Sequence, residues 1–127
     1  MIDVAVVGGG LAGLSVAAQM AQAGHEAVVF EAGSYPRHKL CGEFLSPEAQ
    51  SSLDRLGLRA DLEAHHPPRI DQSVVTAPGG ATDTVALPGA AWGISRYVLD
   101  ALLATHASKS GATVKTGCRV SGIDGTL

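Results

Sequence analysis

The sequence is poor in cysteine and in long apolar runs, and each of these shortages argues against one class of protein. Its two cysteines, Cys41 and Cys118, lie far apart in 127 residues, which fits a reducing compartment such as the cytoplasm better than a disulfide framework. No apolar run reaches about 18 residues, so no membrane-spanning helix is predicted. The net charge is −3 and the nine basic residues are scattered, which argues against nucleic acid or an anionic membrane as a partner.

Two kinds of catalytic site are also missing from the sequence. His65 and His66 have no third ligand at metal spacing, so we predict no metal site and interpret the pair as a solvated helix end. No nucleophile–base pair and no paired catalytic carboxylates stand out. Such an absence is expected in an enzyme whose cofactor carries the chemistry.

Glycine, by contrast, is abundant, with sixteen residues, and several fall at informative positions. Residues 2–7 form a short apolar run that is typical of a strand buried on both faces of a parallel sheet. Residues 11–23 have the period of a helix, and residues 27–31 resemble a second strand. A strand, a helix and a second strand within this length predict the start of a doubly wound α/β fold.

A Gly-x-Gly-x-x-Gly motif, at Gly8, Gly10 and Gly13, joins the first strand to the helix. This is the context that a dinucleotide-binding motif requires. The first glycine permits a tight turn, the second lets the backbone approach a pyrophosphate, and the third lets the helix pack on the strand. The N–H groups at the helix start, including those of Leu11 and Ala12, would face the phosphates.

The second predicted strand ends at an acidic residue, Glu31, and we assign Glu31 and the following Ala32 to the cofactor site. A carboxylate at this position can accept both hydroxyls of an adenosine ribose and would repel a 2′-phosphate. The motif by itself does not distinguish NAD from FAD.

Further elements are predicted along the chain. Residues 32–45 have no helical or strand period, and Ser46 and Pro47 resemble the N-cap and first position of a helix. The chain stops at 123–127, where a turn is predicted to begin, so we expect a truncated sheet. The remaining predictions are helices at 47–56, 59–64 and 96–109, a hairpin with strands at 73–77 and 82–87, and strands at 113–116 and 118–123.

Three segments carry a resemblance to a known family. They are Pro36-Arg37-His38-Lys39-Leu40-Cys41-Gly42, the helix start Leu45-Ser46-Pro47, and Arg96-x-x-Leu99-Asp100-x-x-Leu103. In this order they resemble the flavoproteins that include geranylgeranyl reductases, within the larger group that contains p-hydroxybenzoate hydroxylase. The resemblance covers the whole chain, although Glu43 stands where the reductases often have a second glycine.

The resemblance implies a non-covalent FAD, reduced by NADH or NADPH. It places Arg37 near the FAD pyrophosphate or ribityl chain and Arg96 on the same cofactor, where guanidinium groups would match phosphate oxygens. It makes Lys39 a further possible contact, Cys41 a residue near the flavin ring or an inert thiol, and Val120 a backbone contact to adenine. Cys118 is interpreted as a core residue on a strand.

We therefore predict a Rossmann-like α/β fold over residues 1–127, the N-terminal part of an FAD-binding domain, with a hairpin of the substrate domain at about 66–92. The predicted function is FAD-dependent oxidation–reduction of a small organic or prenyl substrate, by C=C reduction or by O₂-dependent hydroxylation. The 127 residues alone are not expected to turn over NAD(P)H. A non-catalytic NAD- or FAD-binding module is the alternative, and the oligomeric state is left open.

Overall fold

The computed structural model describes residues 1–41 and 43–124, which form two compact units. One unit contains residues 1–40 and the residues from Arg96 onward, and the other contains residues 41–95. No helix in the described ranges is long and apolar enough to cross a membrane. In chain order the elements are β1 (Val4–Val7), α1 (Leu11–Gln22), β2 (Ala27–Phe30), β3 (Phe44–Leu45), α2 (Pro47–Arg55), α3 (Arg59–Glu63), β4 (Arg69–Thr76), β5 (Thr82–Gly93), α4 (Arg96–Lys109) and β6 (Thr113–Lys115).

The first unit is a parallel sheet with strand order β1-β2-β6 and with α1 packed against α4. Both helices bury small and branched apolar residues, including Leu14 and Ala18 on α1 and Leu103 and Ala107 on α4. Alanine at such contacts lets the helices approach closely, while leucine supplies most of the buried apolar area. The predicted strand–helix–strand unit of a doubly wound α/β fold is confirmed.

The two N-terminal strands differ in burial, and one prediction is wrong here. β2 lies between β1 and β6 and buries Ala27, Val28 and Val29. β1 was expected to be buried on both faces, but its Ala5 and Val7 are exposed, Val7 to 59%. Alternate side chains of a strand point to opposite faces of its sheet, and Val6 lies on the face that packs against α1, so Ala5 and Val7 lie on the other face.

The second unit is an antiparallel sheet of order β3-β5-β4 with α2 and α3. The Ser46 hydroxyl accepts the N–H of Ala49 over 3.3 Å and so caps α2, as the sequence predicts. Gly57, at φ +82°, follows the helix end in a conformation that favours glycine. The hairpin of β4 and β5 is also found, with longer strands than predicted and a register shift between Ile70 and Gln72.

Two other predictions about strands are wrong. The segment 32–45 was expected to be a loop throughout, but Phe44 and Leu45 pair with β5. The strand predicted at 118–123 does not form, because the chain turns at Gly117 (φ +68°) and residues 118–124 find no strand partner in the described part of the chain. A strand needs such a partner for its backbone hydrogen bonds. The turn predicted at 123–127 lies partly outside the described residues.

Candidate cofactor site

The connection from β1 to α1 depends on the conformations of Gly8 and Gly13. Gly8 has φ +99°, which side-chain-bearing residues rarely adopt, and its N–H donates to the Phe30 carbonyl over 2.9 Å. A Cβ on Gly13 would overlap the carbonyl oxygen of Gly8 and lie 3.1 Å from a methyl group of Val6. The tight turn and the close helix–strand packing therefore both require glycine.

The N-terminus of α1 is shaped to receive an anion. Its N-cap residue, Gly10, provides no side-chain cap, and the first turn contains no acidic residue. The first N–H groups of a helix have no intrahelical acceptor, and those of Leu11 and Ala12 belong to this turn. A Cβ on Gly10 would meet only the Lys39 amino group, at 3.9 Å, so the backbone is approachable here and a cation lies beside it.

Glu31 is the centre of the hydrogen-bond network behind this loop. Its Oε2 accepts the N–H of Gly9 over 2.7 Å, and its Oε1 accepts the N–H of Gly33 over 2.7 Å and a guanidinium N–H of Arg37 over 2.5 Å. Only 6% of the residue is exposed. The bond from Arg37, followed by the two backbone N–H groups, outweighs burial and lowers the pKa of Glu31 to about 2. The carboxylate is therefore ionised at neutral pH.

Sequence reasoning missed two residues of this network, Gly9 and Tyr35. The Tyr35 hydroxyl donates to the Gly9 carbonyl oxygen. A Cβ on Gly9 would overlap that hydroxyl and lie 3.0 Å from the Glu31 Cβ, so Gly9 is sterically required although it is a variable position in the motif. The run of three glycines was the available signal, since the motif itself accounts for only two of them.

Arg37 and Lys39 lie on the loop that follows β2. The Arg37 guanidinium pairs with Glu31 and lies 5.4 Å from the Tyr35 ring centroid, while its Nε is buried without a hydrogen-bond partner among the described residues. The Glu31 carboxylate thus holds Arg37 in place. Contact of Arg37 or Lys39 with a cofactor phosphate stays a prediction.

Arg96 begins α4 and is held by a residue of its own helix. Its Nε and Nη2 donate to the two oxygens of Asp100, over 2.6 and 3.0 Å, and Asp100 is fully buried. Such a bidentate pair fixes the plane of the guanidinium. The i, i+4 spacing of Arg96 and Asp100 therefore forms an ion pair along α4. Contact of Arg96 with a cofactor remains a prediction.

The other residues assigned from the sequence are Ala32, Cys41, Val120 and, as a core residue, Cys118. Ala32 is exposed directly after Glu31, and Cys41 is exposed in the unit formed by residues 41–95. Val120 is half-buried but not on the expected strand, so the strand geometry behind its predicted adenine contact is absent. Cys118 is likewise half-buried outside any strand, where its N–H donates to the Glu31 carbonyl over 2.9 Å, and it is not a core residue.

The residues present fit the adenosine diphosphate part of a dinucleotide. A positive helix terminus stands without a side-chain cap, its loop is open at Gly10 and bordered by Lys39, and an ionised carboxylate directly follows β2. An uncapped helix N-terminus attracts phosphate, and a carboxylate accepts ribose hydroxyls. The described residues contain no group of three or more His, Cys, Asp or Glu residues that could hold a metal. Fold and site define a dinucleotide-binding βαβ unit.

Comparison with known proteins identifies the family. The sequence profile of the family described as FAD binding domain matches residues 1–126, and the chain belongs to this family. It is similar to menaquinone reductase of Mycolicibacterium smegmatis, with 35% identity over 126 residues that cover 93% of this chain and 29% of the relative. It is also similar to kynurenine 3-monooxygenase of Salinispora arenicola, with 39% identity over 84 residues, 61% of this chain and 18% of the relative.

Solved structures show the same fold. A geranylgeranyl bacteriochlorophyll reductase-like protein of Thermoplasma acidophilum aligns with TM-score 0.75 and 23% identity over 91% of this chain and 28% of that one. The p-nitrophenol 4-monooxygenase of Pseudomonas putida aligns with TM-score 0.82 and 21% identity over 97% and 33%. The predicted resemblance to this flavoprotein group is confirmed, and the chain spans less than a third of the length of menaquinone reductase.

Proposed function

We propose that this chain is the part of an FAD-dependent oxidoreductase that holds the adenosine diphosphate half of FAD. The proposal rests chiefly on one observation: the open, uncapped start of α1 lies next to an ionised and nearly buried Glu31 that is bonded to the same loop through Gly9. The loop N–H groups would receive the pyrophosphate, and Glu31 with Ala32 would border the ribose.

The hydrogen bonds of Glu31 indicate how a ribose would bind. Oε1 already accepts two N–H groups, whereas Oε2 accepts one. Since each carboxylate oxygen accommodates about two donors, Oε2 can accept one ribose hydroxyl without disturbing the network. The same negative charge disfavours a 2′-phosphate, so NADPH would have to bind elsewhere if it is the electron donor.

Two cationic side chains would complete the phosphate site. The Arg37 guanidinium is held by Glu31, the carboxylate that also binds Gly9, and it keeps part of its side chain exposed, while Lys39 stands beside Gly10. Arg96, whose plane is fixed by Asp100, is proposed as a further contact. When bound, FAD supplies the redox chemistry, and the contribution of this chain is to bind and orient it.

We propose that NADH or NADPH is the electron donor for the flavin. The proposed reaction is the reduction of a prenyl or other small organic substrate. A relative that is 35% identical over 93% of this chain is named a menaquinone reductase, which supports reduction. Hydroxylation with O₂ is the second candidate, since another relative is named a kynurenine 3-monooxygenase. A cytoplasmic location is part of the proposal and rests on the two unpaired cysteines.

The first experiment measures flavin content and electron flow in the protein expressed from its complete natural reading frame. We expect bound FAD after gel filtration and oxidation of NADH or NADPH. Stimulation by a quinone without O₂ would indicate a reductase, whereas a requirement for O₂ and an organic substrate would indicate a hydroxylase. Protein that binds no flavin but binds NAD would favour a non-catalytic nucleotide-binding module.

A variant tests the role of Glu31 in binding. Glu31→Ala should weaken FAD binding by about 1–3 kcal/mol, because hydrogen-bond donors of the ribose and of the loop lose their acceptor. Glu63→Ala, an exposed glutamate at the end of α3, is the control. Equal FAD affinity in Glu31→Ala and the parent would contradict the ribose assignment.

A further inference from the structure

The peptide groups around Gly9 are held from two directions. The Gly9 N–H donates to Glu31 Oε2 over 2.7 Å, and the Gly9 carbonyl oxygen accepts the hydroxyl hydrogen of Tyr35. Gly9 lies between Gly8, which permits the tight turn, and Gly10, where the backbone can approach a pyrophosphate. Tyr35 belongs to another segment, the loop that follows β2.

Four contacts close a ring between these two segments. Glu31 and Tyr35 both bind Gly9, Arg37 binds Glu31 over 2.5 Å, and the Arg37 guanidinium lies 5.4 Å from the Tyr35 ring centroid. Each member is therefore positioned by two others. Burial, followed by the charge of Glu31, raises the pKa of Tyr35 to about 12, so its hydroxyl remains a donor at physiological pH.

Gly9 and Gly10 differ in how much free space surrounds them. A Cβ on Gly9 would overlap the Tyr35 hydroxyl, whereas a Cβ on Gly10 would meet only Lys39 at 3.9 Å. Gly9 is thus closely surrounded by the protein, and Gly10 is open to a ligand. Three successive glycines lose more backbone freedom on ordering than any other sequence of the same length. A loop that is already held at Gly9 avoids part of that cost when a ligand binds.

We propose that Tyr35 is a positioning residue that holds the Gly9 carbonyl, and so presets the loop and the first N–H groups of α1 for the diphosphate of a dinucleotide. The inference rests on the proposed function. Tyr35 does not contact the ligand in this account. It acts through Gly9, and its hydroxyl is the group that matters.

The test compares Tyr35→Phe with the parent in the protein expressed from its complete reading frame. The variant keeps the ring beside Arg37 and removes only the hydroxyl. Dissociation constants for FAD and for ADP are measured on apoprotein by calorimetry. We expect both constants to rise about two- to tenfold, by the same factor, because the loss of one hydrogen bond affects the diphosphate site that the ligands share. Tyr97→Phe, a partly exposed tyrosine on α4, is the matched control and should change neither.

Thermal melting of the apoprotein separates positioning from simple stabilisation. A lower melting temperature in Tyr35→Phe with unchanged dissociation constants would overturn the inference, since the hydroxyl would then only stabilise the fold. Weaker binding in Tyr35→Leu but not in Tyr35→Phe would overturn it too, because the ring rather than the hydroxyl would be responsible. A parent protein that binds neither FAD nor ADP would refute the proposed function itself, and with it this inference.

Discussion

The acid dependence of stability should reveal the ion pair at Glu31. Its pKa is lowered from 4.5 to about 2, first by the hydrogen bond from Arg37 and also by the N–H groups of Gly33 and Gly9. A carboxylate with a depressed pKa in the folded state stabilises the fold above its unfolded pKa, and this stabilisation is lost as the pH falls through the folded value. The shift corresponds to about 3 kcal/mol at pH 7, of which about 2 kcal/mol should be lost by pH 3.

Glu31→Gln removes this titration while keeping the size of the side chain. Its amide brings an NH₂ group towards the N–H donors of Gly9, Gly33 or Arg37, so one former bond becomes a donor–donor contact. We expect the variant to be less stable than the parent by about 3 kcal/mol near neutral pH. The gap should narrow between pH 5 and pH 3, because only the parent loses stability through this group.

Urea denaturation of the apoprotein at several pH values, followed by circular dichroism, measures this gap. Glu63→Gln, at an exposed position on α3, reports the effect of removing a carboxylate outside the network. A parent–variant difference for Glu31→Gln that stays constant from pH 7 to pH 3 would refute the assignment of a strongly depressed pKa. A difference close to zero at pH 7 would show that the network does not stabilise the fold.

Two further substitutions test the packing behind the site. Gly13→Ala should destabilise the protein by about 1–3 kcal/mol, because its methyl group would overlap the Gly8 carbonyl oxygen, whereas Gly122→Ala, with no atom within 4 Å of the added carbon, should be neutral in the same urea titration. Equal stability of the two would contradict the close helix–strand approach. Asp100→Asn should cost about 3 kcal/mol, because Asp100 is fully buried and Arg96 would lose its charged partner. Asp54→Asn, in an exposed pair with Arg59, should have an effect too small to resolve, and similar losses in the two variants would argue against a special role for the buried pair.

Most of the helices and central strands could be predicted because local signals and the final structure agree. The glycine motif, the Ser46 N-cap and the glycines after helices mark element ends through backbone requirements that hold in any fold. The family resemblance could be predicted from three short segments, and it extended the assignment from a dinucleotide to FAD. These features depend on residues close in sequence.

The failures concern features that depend on distant partners. The strand at 118–123 has β propensity but no neighbour in the described residues, and the exposure of Ala5 and Val7 reflects what packs on β1 rather than its own sequence. The hydrogen bond from Tyr35 to Gly9 could not be predicted because the two residues lie in different segments of the chain. No local pattern encodes that contact.

We propose above that the loop at Gly8–Gly10 receives the diphosphate of FAD. Equilibrium titration of apoprotein with FAD, for the parent and for Gly10→Val, tests it most directly, with circular dichroism to verify that the variant is folded. We expect stoichiometric binding by the parent and none by the variant, because the valine side chain would occupy the open space in front of the loop. A folded Gly10→Val protein that still binds one FAD with the affinity of the parent would show that the diphosphate does not bind at this loop.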